Sequence, residues 1–193
     1  MARPSQFVRN EALEKSMYLF WDKGYCNTSL QQLSAGMDMR PGSLYATFKN
    51  KRTLFLEALQ LYFERSSKAF NERLNSQLSA IASLHYFFAQ LVDDLAKDDT
   101  GRGCLMINTA TELADQDDEI RKILDDMFAR HEQVFFATLQ QAQYEGDLAA
   151  GKDPRALAQF LLMTVRGMRV YSQTRHSRAE FQQLADTALT TLK

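Results

Sequence analysis

The sequence predicts an all-α protein, with a small three-helix head followed by a larger helical body, about nine helices in total. Composition is the first reason. Ala and Leu are abundant, whereas Gly (8) and Pro (3) are scarce among 193 residues. Ala and unbranched side chains lose little freedom in a helix, while strands favour β-branched residues. The second reason is periodicity, since apolar residues recur at three- and four-residue spacing along most of the chain. The third is punctuation, because the breaks in that pattern fall on residues that cap helices. A hydrophobic fraction of 45% against 24% charged residues suits a soluble chain that buries a core.

The first helix begins near Phe7 and carries Ala12, Leu13, Ser16, Leu19 and Phe20 on one stripe, with Gly24 as its C-terminal cap. Thr28 opens a short second helix, with Gln31 completing a capping box and Gly36 near its end. A third runs from about Arg40 to Phe48, with Pro41 in the first turn, where a missing N–H costs nothing. The fourth starts at Lys51, buries Leu54, Ala58, Leu61 and Tyr62, and continues toward Asn75. Ile81, Leu84, Phe88, Leu91, Val92 and Leu95 mark a fifth, which the DDTGRG run ends. A short apolar helix follows from Cys104 to Ala114. The acidic DQDDE run then opens a long helix bearing Ile120, Leu124, Met127, His131, Phe135 and Leu139, which stops at Gly146. Asp153 and Pro154 start a helix reaching about Gln173, and Ser177 with Glu180 caps the last, through Leu192.

Charge divides unevenly along the chain. Residues 1–53 hold eight Lys/Arg against four Asp/Glu, a balance of +4; the remaining 15 basic and 20 acidic residues give −5. A basic head on an acidic body fits a protein whose head alone meets phosphates. No stretch has the roughly 18–20 uninterrupted apolar residues of a membrane-spanning helix. Cys26 and Cys104 are far apart and read as reduced thiols of a cytoplasmic protein.

Catalytic and metal chemistry find little support. His85, His131 and His176 have no second ligand at metal spacing. The carboxylates of 93–99 and 115–126 sit at helix ends and exposed faces, and no phosphate loop or nucleophile elbow is present. The chain is therefore not read as an enzyme, and no cofactor is expected. Cys104 follows GRG at a helix start, where the dipole favours thiolate, so it is either a sensing thiol or a small buried side chain.

Two short helices joined by a tight turn, with a third before them, form a helix-turn-helix, whose second helix offers its N-terminal residues to the major groove of DNA. Segment 12–59 carries Phe20, Gly24-Tyr25, Thr28-Ser29, Leu33, Gly42-Ser43-Leu44-Tyr45, Phe48, Lys51 and Leu54. At these spacings it resembles the TetR family of bacterial regulators. The remainder resembles that family in helix count, length and order.

The resemblance implies a DNA-binding domain over 1–53 and an effector-binding and dimerisation domain over 54–193. Thr28 would reach a phosphate. Pro41, Gly42 and Ser43 would form the recognition helix tip that approaches the groove. Tyr45 matches a tyrosine whose hydroxyl meets the DNA backbone, Thr47 a phosphate-contacting position and Lys51 a phosphate-binding lysine. Most of these contacts position the protein rather than specify a sequence. Phe20, Leu33, Leu44 and Phe48 would hold the three helices together.

The turn departs from the family's Ala-Gly-Val-Ser, reading Met37, Asp38, Met39 and Arg40. Asp38 stands where glycine is usual and must take up the left-handed conformation. Arg40 replaces a capping serine and is either a groove contact or a solvated charge.

The resemblance further implies a small-molecule effector held in the middle of the body, for which Phe88, Met106, His131 and Phe135 supply apolar walls and one polar group; all four can equally be packed core. It also implies a homodimer that binds a palindromic operator in double-stranded DNA. The last two helices would pair through Leu161, Val165, Met168, Leu184 and Leu189. The function implied is that of a repressor released by its effector. The alternative is a helical interaction module with a relic helix-turn-helix that binds no DNA.

Overall fold

The computed structural model describes residues 5–74, 78–174 and 176–193, with residues 5–8 described by their backbone alone. Among the described residues there are nine α-helices, a closing 3-10 turn (Thr190–Leu192) and no strand, as the composition predicts. The helices are α1 (Ser5–Lys23), α2 (Leu30–Met37), α3 (Pro41–Phe48), α4 (Lys51–Leu74), α5 (Ala80–Lys97), α6 (Leu105–Leu113), α7 (Asp118–Glu145), α8 (Pro154–Tyr171) and α9 (Arg178–Leu189). None is long and apolar enough to cross a membrane.

Caps set most of these boundaries, and two differ from the sequence expectation. The cap of α2 is Ser29, not Thr28: the Ser29 hydroxyl accepts from the Gln32 N–H, and the Gln32 side chain accepts from the Ser29 N–H at 2.8 Å. Thr28 is unavailable because it is buried, donating its hydroxyl to the Gly24 carbonyl at 2.6 Å. Gly36 lies in the last turn of α2, as expected, and a Cβ there would stand 2.6 Å from Leu19 Cδ1 of α1. Helix α8 ends at Tyr171, with Ser172 as its cap. Helix α4 is described to Leu74, and its expected end at Asn75 lies outside the described residues. Ser177 and Glu180 form the expected capping box of α9.

The chain groups into two units, one comprising residues up to Arg65 together with Cys104–Arg121, the other Ser66–Gly103 with Lys122–Lys193. In the first, α1 packs on α2 and α6, and α2 on α3. Phe20, Leu33, Leu44, Phe48 and Leu54 are fully buried there, and the Phe20 ring meets Phe55 edge-on at 5.0 Å. Arg52 forks onto Asp117 and reaches Glu119 at 2.6 Å, while Asp117 also accepts the Glu119 and Ile120 N–H groups, capping α7. The Arg52 hydrogen bond, then the Ile120 N–H, hold the Asp117 carboxyl down to about 2.

In the second unit α9 packs on α5 and α8. One core joins Leu84, Phe88, Leu91 and Val92 of α5 with Phe135 and Leu139 of α7, Leu161 and Met168 of α8, and Phe181 and Ala185 of α9. Phe87 meets Phe135 edge-on at 5.2 Å and Phe88 at 5.7 Å.

Candidate nucleic-acid interface

Helices α2 and α3 are joined by a turn whose pivot is Asp38, at φ 54° and ψ 43°. The left-handed conformation demanded of a non-glycine residue is therefore adopted, and the Met39 N–H closes the turn onto the Ser34 carbonyl at 2.9 Å. Arg40 precedes α3 in extended conformation and makes no side-chain cap; it is exposed. Pro41 occupies the first turn of α3. Leu44 and Phe48 face inward and are buried, so the opposite face of α3 is open.

On that open side Pro41, Gly42 and Ser43 are all exposed, and Tyr45 is 46% exposed. A Cβ built on Gly42 would meet nothing within 4 Å. Packing within the chain thus gives no reason for glycine here, whereas a close external partner would. Thr47 is half-buried and donates its hydroxyl to the Ser43 carbonyl at 2.8 Å. The Lys51 ammonium lies 4.3 Å from the Tyr25 ring centroid. Of the expected contact residues, Thr28 alone is turned away, buried with its proton committed; exposed Ser29 stands at that end of α2 instead.

Two local features were not legible beforehand. Lys49 has φ 64° and ψ −59°, and the Asn50 N–H donates to the Phe48 carbonyl at 2.7 Å, a strained γ-turn linking α3 to α4. Asn50 then caps α4 by accepting the Thr53 N–H at 2.8 Å. No glycine marks the strained position, and nothing in the pattern signals it.

The residues expected around an effector are divided. Phe88 and Phe135 are buried in the second unit, and His131 lies one turn before Phe135 on α7. The His131 ring stacks on Phe70 at 4.5 Å, and its Nε2 is 2.9 Å from the Ser67 hydroxyl. Phe70 in turn lies 5.3 Å from Phe135. Burial, followed by the charges of Arg166 and Arg169, pushes His131 down to about 4, so its imidazole is neutral. Met106 is buried in the first unit, on α6. Cys104 is buried as well, at the start of that helix.

Four of the five residues expected to pair two copies are buried within a single chain. Leu161, Val165, Met168 and Leu189 are buried in the core of the second unit, because 161, 165 and 168 form the inward stripe of α8 and Leu189 belongs to the inward stripe of α9. Leu184 is exposed, together with Phe160, Met163 and Val170. Phe160, Leu184, Tyr171 and Gly167 border an open groove of about 740 Å³ between α8 and α9.

The comparisons agree with this geometry. Residues 12–58 match the model of bacterial regulatory proteins of the tetR family, and residues 80–188 match the tetracyclin repressor-like C-terminal domain. The HTH-type transcriptional repressor ComR of Escherichia coli is 33% identical over 188 residues, 97% of this chain and 90% of the relative. The uncharacterised HTH-type regulator YezE of Bacillus subtilis is 31% identical over 162 residues, 83% of this chain and 84% of its own. Among solved structures, a cysteine mutant of the TetR family regulator CifR, complexed with 26-bp double-strand operator DNA, superposes with a TM-score of 0.88 at 29% identity, covering 100% of both chains. Helix order, the α2–α3 turn and full-length similarity converge: this chain belongs to the TetR family of DNA-binding transcriptional regulators.

Proposed function

We propose that the chain is a repressor acting as a homodimer on a palindromic operator, and that a small-molecule effector releases it. The observation that carries the reading is the tip of α3. Pro41, Gly42 and Ser43 are exposed over a buried Leu44 and Phe48, with open space where a Gly42 side chain would stand. On this reading residues 1–53 grip DNA, with Ser43 and Arg40 toward base edges and Tyr45, Thr47 and Lys51 toward phosphates. The relative ComR is named as a repressor, and CifR was solved on operator DNA.

Residues 54–193 supply pairing and sensing. The exposed apolar side chains of α8 and α9 are the surface for a second copy, and the Phe88, His131 and Phe135 cluster of the second unit borders the effector. A protein that works on chromosomal DNA in this way acts in the cytoplasm. Retention of sheared genomic DNA by the full-length protein, followed by sequencing, tests the reading. Recovery of one or a few palindromic sites is expected; uniform retention of all fragments would overturn it.

A further inference from the structure

The α1–α2 turn is held by a side chain from outside the helix-turn-helix. Both oxygens of Glu112, near the end of α6, accept backbone N–H groups of the turn: Oε2 from Tyr25 at 2.8 Å and Oε1 from Cys26 at 2.7 Å. These two groups lie past the end of α1 and before the cap of α2, and Glu112 supplies their acceptors. A carboxylate receiving two N–H groups makes the stronger, charge-assisted kind of hydrogen bond. Gly24 completes the fit. Its φ of +78° turns the chain, and a Cβ there would lie 2.8 Å from Glu112 Oε2. The glycine is thus needed for the turn and for the carboxylate's approach.

What the turn carries bears on DNA. The Tyr25 ring packs on Phe55 of α4 at 4.8 Å, and the Lys51 ammonium sits 4.3 Å from the same ring centroid. The Tyr25 carbonyl accepts the Thr28 N–H at 3.3 Å, leading directly into the Ser29 cap of α2. We infer that Glu112 is a positioning residue for DNA binding: it fixes the α1–α2 turn and, through Tyr25, the place from which Lys51 meets phosphate. The inference rests on Lys51 being a phosphate contact.

Cys26 offers an independent view of the same carboxylate. Its thiol is pushed up by partial desolvation at the protein surface, by a hydrogen bond to Glu112 and by that group's charge, with Lys51 opposing. Cys26 is exposed and Cys104 buried, so a thiol reagent on the native protein reads Cys26.

The test is a double-mutant cycle on the full-length protein, titrating its recovered operator at several salt concentrations. In Glu112→Gln one acceptor becomes an NH2 donor facing an N–H donor, so the grip on the turn is lost. Binding should weaken roughly tenfold in E112Q, with most of that loss absent when Lys51 is already Ala. The salt slope of E112Q should fall toward that of K51A, and Cys26 should react faster with a disulfide reagent at pH 8. Wild-type affinity in E112Q, losses that multiply in the double mutant, or unchanged Cys26 reactivity would each overturn the inference. Should K51A alone leave affinity and salt slope untouched, the Lys51 assignment fails instead, a separate result. Tyr25→Leu keeps the carboxylate–backbone bonds but removes the ring; it should reproduce the loss and its dependence on Lys51 even if E112Q folds poorly.

Discussion

Lys51 and Ser43 sit within two turns of chain yet should fail in different ways. Lys51 meets phosphate on the reading above, and a phosphate contact releases a counterion whatever the sequence. Lys51→Ala should therefore weaken operator and random DNA alike, lowering the salt slope by about one per subunit. Ser43→Ala and Arg40→Ala should instead change the ranking of operator variants, by roughly 1–3 kcal/mol where a base contact is lost. Fluorescence anisotropy titrations over a salt series separate the two; parallel losses for K51A and S43A across all sequences would leave α3 without a role in readout. His131 makes a prediction about stability. Its ordinary value is 6.5 and its folded value about 4, so on acidification the unfolded chain takes the proton first. Stability is whole above pH 6.5 and drains away as pH falls toward 4, by an amount on the order of 2–3 kcal/mol. His131→Asn has no proton to take. Its melting temperature should fall less over that interval than that of the wild type, and equal slopes would count against a buried neutral imidazole.

At the scale of elements, the link between α3 and α4 stores strain that serves geometry. Lys49 holds φ 64° without glycine's freedom, a cost of about 1 kcal/mol or more. Lys49→Gly should raise the melting temperature by a few degrees, while removing one exposed cation beside α3. A lower melting temperature would mean that the Lys49 side chain, not the backbone, stabilises the link. How much of this was legible depends on what each feature is made of. Periodicity and caps are local, so the helices, the Asp38 turn and the α9 capping box could be read from residues a few positions apart. The choice between Thr28 and Ser29 as cap could not, because it turns on whether a hydroxyl faces the Gly24 carbonyl or the helix. Glu112 lies 87 residues from Tyr25, and no spacing rule joins them. On α8, Leu161, Val165 and Met168 run beside Phe160 and Met163 on adjoining stripes. Apolar content is similar on both, and only packing decides which stripe is spent inside.

At the scale of the whole molecule, the two units are built from alternating stretches of one chain. The chain crosses between its two units within α4, at Gly103–Cys104 and within α7. On the proposed reading, about 1–3 kcal/mol of coupling between effector and DNA would suffice for release. Pairing is the part that now yields a sharp test. One recognition helix reads too few base pairs to select a chromosomal site, so a two-fold partner is needed to read a palindrome. Phe160 and Leu184 are 48% and 41% exposed, against complete burial of Leu161 in the same helix as Phe160. A charge placed at Phe160 or Leu184 has water around it in a single chain but would be desolvated between two apolar faces. Phe160→Glu and Leu184→Glu should hence keep a cooperative melt and helical circular dichroism, halve the mass measured by light scattering, and lose operator affinity by a factor of 100 or more, on the order of a hot-spot loss. Val165→Glu, buried in the core, should instead unfold the second unit. If both surface variants remain dimeric and bind the operator normally, the pairing face lies elsewhere than on α8 and α9.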